Sequence, residues 1–135
     1  MNKELYYKDD VLKYNEHGLL HRTDGPAIIY ADGSKFWYQH GMLHRTDGPA
    51  VERANGTMLW YKEGARHRID GPAVEWIAGD KEWWVMGKLH RTNGPAVKGS
   101  DGSMLWFING EKITEQEHIN IRLRRQLIPK EMWEI

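Results

Sequence analysis

Four His-Arg pairs offer the most visible chemistry in this chain: His21-Arg22, His44-Arg45, His67-Arg68 and His90-Arg91. Two residues after each Arg stands an acid or an amide, Asp24, Asp47, Asp70 or Asn93. A guanidinium is a planar fork of donors suited to phosphate or carboxylate. A row of Arg22, Arg45, Arg68 and Arg91, with His44 and His67 beside its centre, could therefore form an anion-binding edge. The competing reading is structural: each Arg pairs with an Asp of its own or the adjacent loop, and each His bonds a backbone carbonyl. Perfect recurrence favours the structural reading, because a binding site rarely needs four identical copies. Asn93 breaks the acid pattern and leaves Arg91 as the member expected to be unpaired. No metal site is expected, since imidazoles on successive units lie too far apart to share a ligand sphere of about 2.0 Å.

Those pairs recur every 23 residues, and so does their surrounding punctuation. Gly18, Gly41, Gly64, Gly87 and Gly110 keep the same step, as do Gly33, Gly56, Gly79 and Gly102, and Trp37, Trp60, Trp83 and Trp106. A strict period with no insertion means that each unit stacks on its neighbour in one way. Within a unit, β-prone runs flank Asp32-Gly33, Asn55-Gly56 or Asp101-Gly102, which predicts a hairpin with a two-residue type I′ turn. The third turn is either Ala78-Gly79 or Gly79-Asp80. On that register Ile28 opposes Trp37, and Val51, Val74 and Val97 oppose Trp60, Trp83 and Trp106. The four Trp then form a structural core. Tyr38, Tyr61, Trp84 and Phe107 fall on the other, half-exposed face with Glu52, Glu75 and Lys98, as candidate binding aromatics.

Gly41 to Pro49 reads as a structured loop leading into the next hairpin, because Pro cannot donate to a ladder. The expected fold class is all-β with a C-terminal α-helix: a single-layer antiparallel β-meander or solenoid of stacked 23-residue hairpin repeats. Some ten strands would make a body about 45 Å long. The organisation reads as one domain over 1–135. Residues 1–17 form an N-terminal half repeat turning at Asp9-Asp10, residues 18–113 four repeats, 114–128 a capping helix and 129–135 a tail. Thr114-Glu115-Gln116-Glu117 is a capping box, and Pro129 closes the helix. Ile119, Leu123 and Leu127 form an apolar stripe expected to cover the last hairpin, with Met132, Trp133 and Ile135 tucking back onto it. Arg122, Arg124, Arg125 and Lys130 read as a solvated basic face.

The unit W-Y-x-x-G-x-x-H-R-x-D-G-P-A resembles the membrane occupation and recognition nexus (MORN) repeat in a divergent form, over roughly Tyr14 to Lys112. Val85-Met86-Gly87-Lys88 and Ile108-Asn109-Gly110-Glu111 echo that repeat's Asn-Gly-Lys, and His-Arg-x-Asp-Gly-Pro-Ala stands where its His-Gly-x-Gly usually falls. The arrays also look like small proteins common in bacteriophage and other viral genomes. That resemblance implies a repeat protein that binds partners, with a host-directed role in the host cytoplasm.

Composition narrows the classes further. The 19 basic and 19 acidic residues cancel, which argues against general nucleic-acid or membrane-surface binding. There is no Cys, so disulfides and thiol chemistry are excluded, and a cytoplasmic setting fits. No stretch approaches the length of a membrane span. No nucleophile elbow, phosphate loop or metalloprotease motif is present, so no enzyme and no cofactor are expected. The expected function is a non-enzymatic binding or scaffold module for another protein, host or self. The alternative is sequestration of a phosphate-bearing or nucleotide ligand by the Arg row.

Overall fold

The computed structural model describes residues 2–127. Ile128, Pro129, Lys130, Met132, Trp133 and Ile135 lie outside the described residues. An N-terminal hairpin pairs β1 (Lys3–Tyr7) with β2 (Asp10–Tyr14). The repeats then supply β3 (Ile28–Ile29), β4 (Lys35–Phe36), β5 (Tyr38–Gln39) and β6 (Met42–Leu43). The pattern recurs as β7 (Val51–Glu52), β8 (Met58–Leu59), β9 (Tyr61–Lys62) and β10 (Ala65–Arg66), and again as β11 (Val74–Glu75), β12 (Lys81–Glu82), β13 (Trp84–Val85) and β14 (Lys88–Leu89). The last unit gives β15 (Val97–Lys98), β16 (Met104–Ile108) and β17 (Glu111–Ile113), followed by α1 (Glu115–Leu127). The fold is all-β with a C-terminal helix. Eleven strands form one antiparallel sheet in the order β1-β2-β3-β4-β7-β8-β11-β12-β15-β16-β17.

The Asp-Gly turn closes three residues, not two. Ile28 pairs with Phe36 and Ile29 with Lys35. Gly33 N–H donates to the Tyr30 carbonyl at 2.9 Å, and Tyr30 N–H to Ser34 at 2.9 Å. At this turn only Gly33 has positive φ, at 91°. That is a type I turn closed by a left-handed glycine rather than a type I′ turn. Asp32 serves it by accepting from Ser34 N–H at 2.8 Å, as Asn55 does for Thr57 and Asp101 for Ser103. In the third unit Ala78-Gly79 holds the turn, with Gly79 at φ 98° and Asp80 in the place of Ser34. In the N-terminal half repeat the turn falls on Lys8-Asp9, and Asp10 already pairs with Tyr7.

One extra loop residue moves the register by one and reverses which face each side chain takes. Val51 opposes Leu59, not Trp60, and Val97 opposes Leu105. The buried core is Ala27, Ile28, Ala50, Val51, Leu59, Ala73, Val74 and Ala96. Trp37, Trp60, Trp83 and Trp106 are half-buried on the opposite face and are not that core. Phe36, Leu43, Tyr61 and Trp84 pack over Val51, Leu59 and Val74 instead. Tyr38 and Phe107, expected on a half-exposed face, are likewise half-buried.

The type I′ turns lie where the sequence suggested a loop. Tyr38 pairs with Leu43 and Gln39 with Met42 around His40 (φ 51°) and Gly41 (φ 78°). Glu63-Gly64, Met86-Gly87 and Asn109-Gly110 repeat it. Four small hairpins, here called flaps one to four, therefore follow the sheet strands. At Trp37 the strand changes partner: its N–H donates to Ala50 in the next unit at 2.7 Å, while its carbonyl accepts from His44 at 3.0 Å. The remaining loop is the 44–49 segment and its counterparts.

The helix begins as its capping box requires. Glu117 N–H donates to Thr114 Oγ1 at 3.1 Å, and Thr114 N–H to Glu117 Oε1 at 3.4 Å. It docks through His118, which is 2% exposed and bonds the Arg91 carbonyl through Nε2 at 3.0 Å. The expected apolar stripe faces outward: Leu123 is 51% and Leu127 86% exposed. A buried polar contact, rather than the i, i+4 apolar pattern, orients this helix.

Candidate functional site

Each Arg of the row is built into its own loop. Arg45 Nε donates to Asp47 at 2.8 Å, and Nη1 donates to the Pro49 carbonyl at 2.9 Å and to Glu52 at 3.0 Å. Arg68 does the same with Asp70, at 3.0 Å, and the Pro72 carbonyl, at 3.0 Å. Arg22 uses Asp24, at 2.8 Å, and the Pro26 carbonyl, at 3.2 Å. Three of the guanidinium groups lie over the Trp row. Arg45 is 3.9 Å from the centroid of Trp37, Arg68 is 4.0 Å from Trp60 and Arg91 is 3.8 Å from Trp83. A Cβ at Gly48 would lie 2.9 Å from Arg45 Cζ, so a side chain before the proline would displace the guanidinium from this place. Trp106 has Thr114, the helix N-cap, where an Arg would fall.

Arg91 is paired, contrary to expectation: Nε donates to Asn93 Oδ1 at 3.2 Å and Nη1 to the Pro95 carbonyl at 3.1 Å. What it lacks, among the described residues, is a carboxylate partner. Arg22, Arg45 and Arg68 each have one or two. Burial lowers the pKa of Arg91, whereas the guanidinium of Arg22 holds the Asp24 carboxyl below its ordinary value, and Arg45 does so for Asp47.

The histidines accept rather than donate. His21 Nδ1 takes the backbone N–H of His40 at 3.0 Å, and His44 that of Glu63 at 3.0 Å. His67 takes the N–H of Met86 at 3.0 Å and His90 that of Asn109 at 2.9 Å. The acceptor is a nitrogen and the partner an N–H, where sequence reasoning expected a carbonyl. An imidazole that accepts at Nδ1 carries its proton on Nε2. Burial, with Lys62 nearby, lowers the pKa of His67, and burial with Arg125 nearby lowers that of His90. Among the described residues no three His, Asp or Glu side chains are grouped to hold a metal ion.

A second ladder runs along the opposite edge, and sequence reasoning missed it. Ser34 Oγ accepts Ala54 N–H at 2.9 Å, Thr57 Oγ1 accepts Ile77 N–H at 3.3 Å and Asp80 Oδ1 accepts Ser100 N–H at 2.7 Å. The signal was present: an acceptor side chain follows each of these turn glycines.

Between successive Arg loops the fold leaves two clefts of like build. One, of 590 Å³, lies between Arg45-Asp47 and Arg68-Asp70 over Trp60. The next, of 580 Å³, lies between Arg68-Asp70 and Arg91-Asn93 over Trp83. Ile69 stands on the wall they share and is 78% exposed. Compared with protein-family models, with curated proteins and with solved structures, the chain matches none. The site must be read from its own geometry. That geometry is concave, polar-walled and Trp-floored, and it is repeated one unit apart. None of the described helices is long and apolar enough to cross a membrane.

Proposed function

We propose that the chain is a non-enzymatic binding module that takes an extended segment of another protein along the clefts between its Arg loops. Ile69 carries the reading. A single exposed aliphatic residue is ordinary on a surface. Here it tops the wall between the two clefts, each with a Trp in its floor, and the other three units have Thr23, Thr46 and Thr92 at its place. Two strand spacings, about 9.6 Å, separate neighbouring units, a step that an extended segment covers in about three residues. The exposed stripe of Ile119, Leu123 and Leu127 adds a second apolar surface beside the array. The likeness of the unit to MORN repeats, and of the array to small phage-encoded proteins, supports a host protein as the partner.

The test is selection of peptides from a displayed library on the wild-type chain, followed by affinity measurement on Ile69→Thr. That substitution installs the residue of the other units, so the fold is preserved. Selected peptides should lose about tenfold in affinity, with the thermal midpoint unchanged. Failure to select any peptide, or equal binding by Ile69→Thr, overturns the proposal.

A further inference from the structure

The fourth unit departs from the others in one place, and its departures converge. In the second and third units an Asp and a Glu sit around the Arg: Asp47 and Glu52 around Arg45, and Asp70 and Glu75 around Arg68. In the fourth the same positions are Asn93 and Lys98 around Arg91. Lys98 is the register partner of Lys81 across β12 and β15. At the equivalent pairing between earlier units, Lys35 faces Glu52 and Met58 faces Glu75. Like charges directly opposite on adjacent strands are destabilising. The fold does not require this pair, since the first two units solve the same position with Lys35 and Glu52.

These groups line one cleft. Lys81, Arg91 and Lys98 surround a space of 320 Å³ with Trp83, Pro72 and Gly99 in its walls. Among the described residues, none that lines it is acidic. The nearest acid in the cross-strand row, Glu75, pairs with Lys81 from the far side and lies 3.6 Å from Arg68. Asp80, next along the chain, spends an oxygen on the Ser100 N–H at 2.7 Å. The volume suits a small ligand, and three cations without an acid suit one of more than one negative charge.

We infer that this cleft binds a small soluble phosphate ester through Lys81, Arg91 and Lys98. One unit of the array holds the anion, and the other Arg residues, already facing carboxylates, do not. The cleft shares Pro72, Trp83 and Arg91 with the second partner cleft, but Ile69, which carries the partner reading, does not line it, so a change at Ile69 tells the two apart.

Titration calorimetry with inorganic phosphate and with AMP, on the whole chain at low salt, tests it. Saturable one-to-one binding of AMP that weakens as salt is added is the expected result. The Asn93→Asp, Lys98→Glu double variant restores the acids of the other units. It should lose about tenfold or more in AMP affinity, and its unliganded thermal midpoint should stay equal or rise. An undiminished midpoint separates loss of the site from loss of the fold. Ile69→Thr should bind AMP as the wild type does. Three results would each overturn the inference: no saturable binding of either probe, undiminished binding by the double variant, or binding only to vesicles bearing a phosphoinositide headgroup.

Discussion

His44 accepts the backbone N–H of Glu63 through Nδ1 at 3.0 Å, and Glu63 is a non-glycine residue held at φ 48°. The two facts belong together. A left-handed conformation costs an L-residue about 1–2 kcal/mol. It places the N–H where no strand partner meets it, and the imidazole supplies the acceptor. Each flap thus sets the turn of the next. The row of histidines that resembles a site in the sequence is, in the fold, a set of links between neighbouring units.

Removing one link should be felt locally. His44→Ala should destabilise the chain by about 0.5–1.5 kcal/mol, the net worth of an ordinary hydrogen bond to an exposed N–H. Denaturant midpoints at constant slope check this. A cost within error of zero would mean that water replaces the imidazole without loss.

Acid should weaken the same ladder. His67 and His90 have folded-state pKa values below the ordinary 6.5. As pH falls, the unfolded chain takes up these protons first, so stability is full above about 6.5 and declines as pH drops through and below it. The unfolding midpoint should therefore fall between about pH 7.5 and 5.5, and the His67→Gln, His90→Gln double variant should flatten that dependence. The lowered carboxyl pKa values of Asp24 and Asp47 act in a separate window, below about pH 4.

Glycine before proline answers to the Arg beside it. A Cβ at Gly71 would lie 2.8 Å from Arg68 Cζ. Gly71→Ala should cost about 1–3 kcal/mol by forcing the guanidinium off Trp60. In an Arg68→Ala background the same change should cost much less, and a double-mutant cycle measures the coupling. Additive costs would show that the backbone, not the Arg, excludes the methyl group.

Thr57 tests the other edge. It is 1% exposed and accepts the Ile77 N–H. Thr57→Val keeps the shape and removes the acceptor, so a loss of about 1–3 kcal/mol is expected. Thermal unfolding of the variant, with hydrogen exchange at Ile77, reads it out, and unchanged protection at Ile77 would refute the ladder's role there.

At the C-terminal end, Thr114→Ala should cost about 1 kcal/mol through loss of the N-cap. Circular dichroism should show less helix. The docking contact of His118 on Arg91 should loosen with it, seen as a shifted His118 ring resonance.

How far this was legible depends on the range of the interactions involved. The 23-residue period, the hairpin at each Asp-Gly or Asn-Gly turn, the capping box at Thr114 and the C-terminal helix were readable, because each rests on residues close in the chain, whereas the flap hairpins at His40-Gly41 and its counterparts were not. The identity of the faces was not. Asp32-Gly33 is compatible with a two-residue and a three-residue loop, and Ser34, accepting from Ala54 in the next unit, belongs with the longer one. That single residue sends Trp37, Trp60 and Trp83 to the Arg side and gives the core to Val51, Leu59 and Val74.

Local chemistry thus determined, from the residue order alone, that the chain is a stack of equal β units closed by a capped helix. Which groups meet across units was decided by register, and register is set by contacts some twenty residues apart, such as Ser34 with Ala54 and His44 with Glu63. A side-chain period of two turns a one-residue difference into an exchange of faces. The same contacts place Lys98 opposite Lys81 and beside Arg91, a cluster whose members are 7 to 17 residues apart in sequence and share one cleft only in the fold.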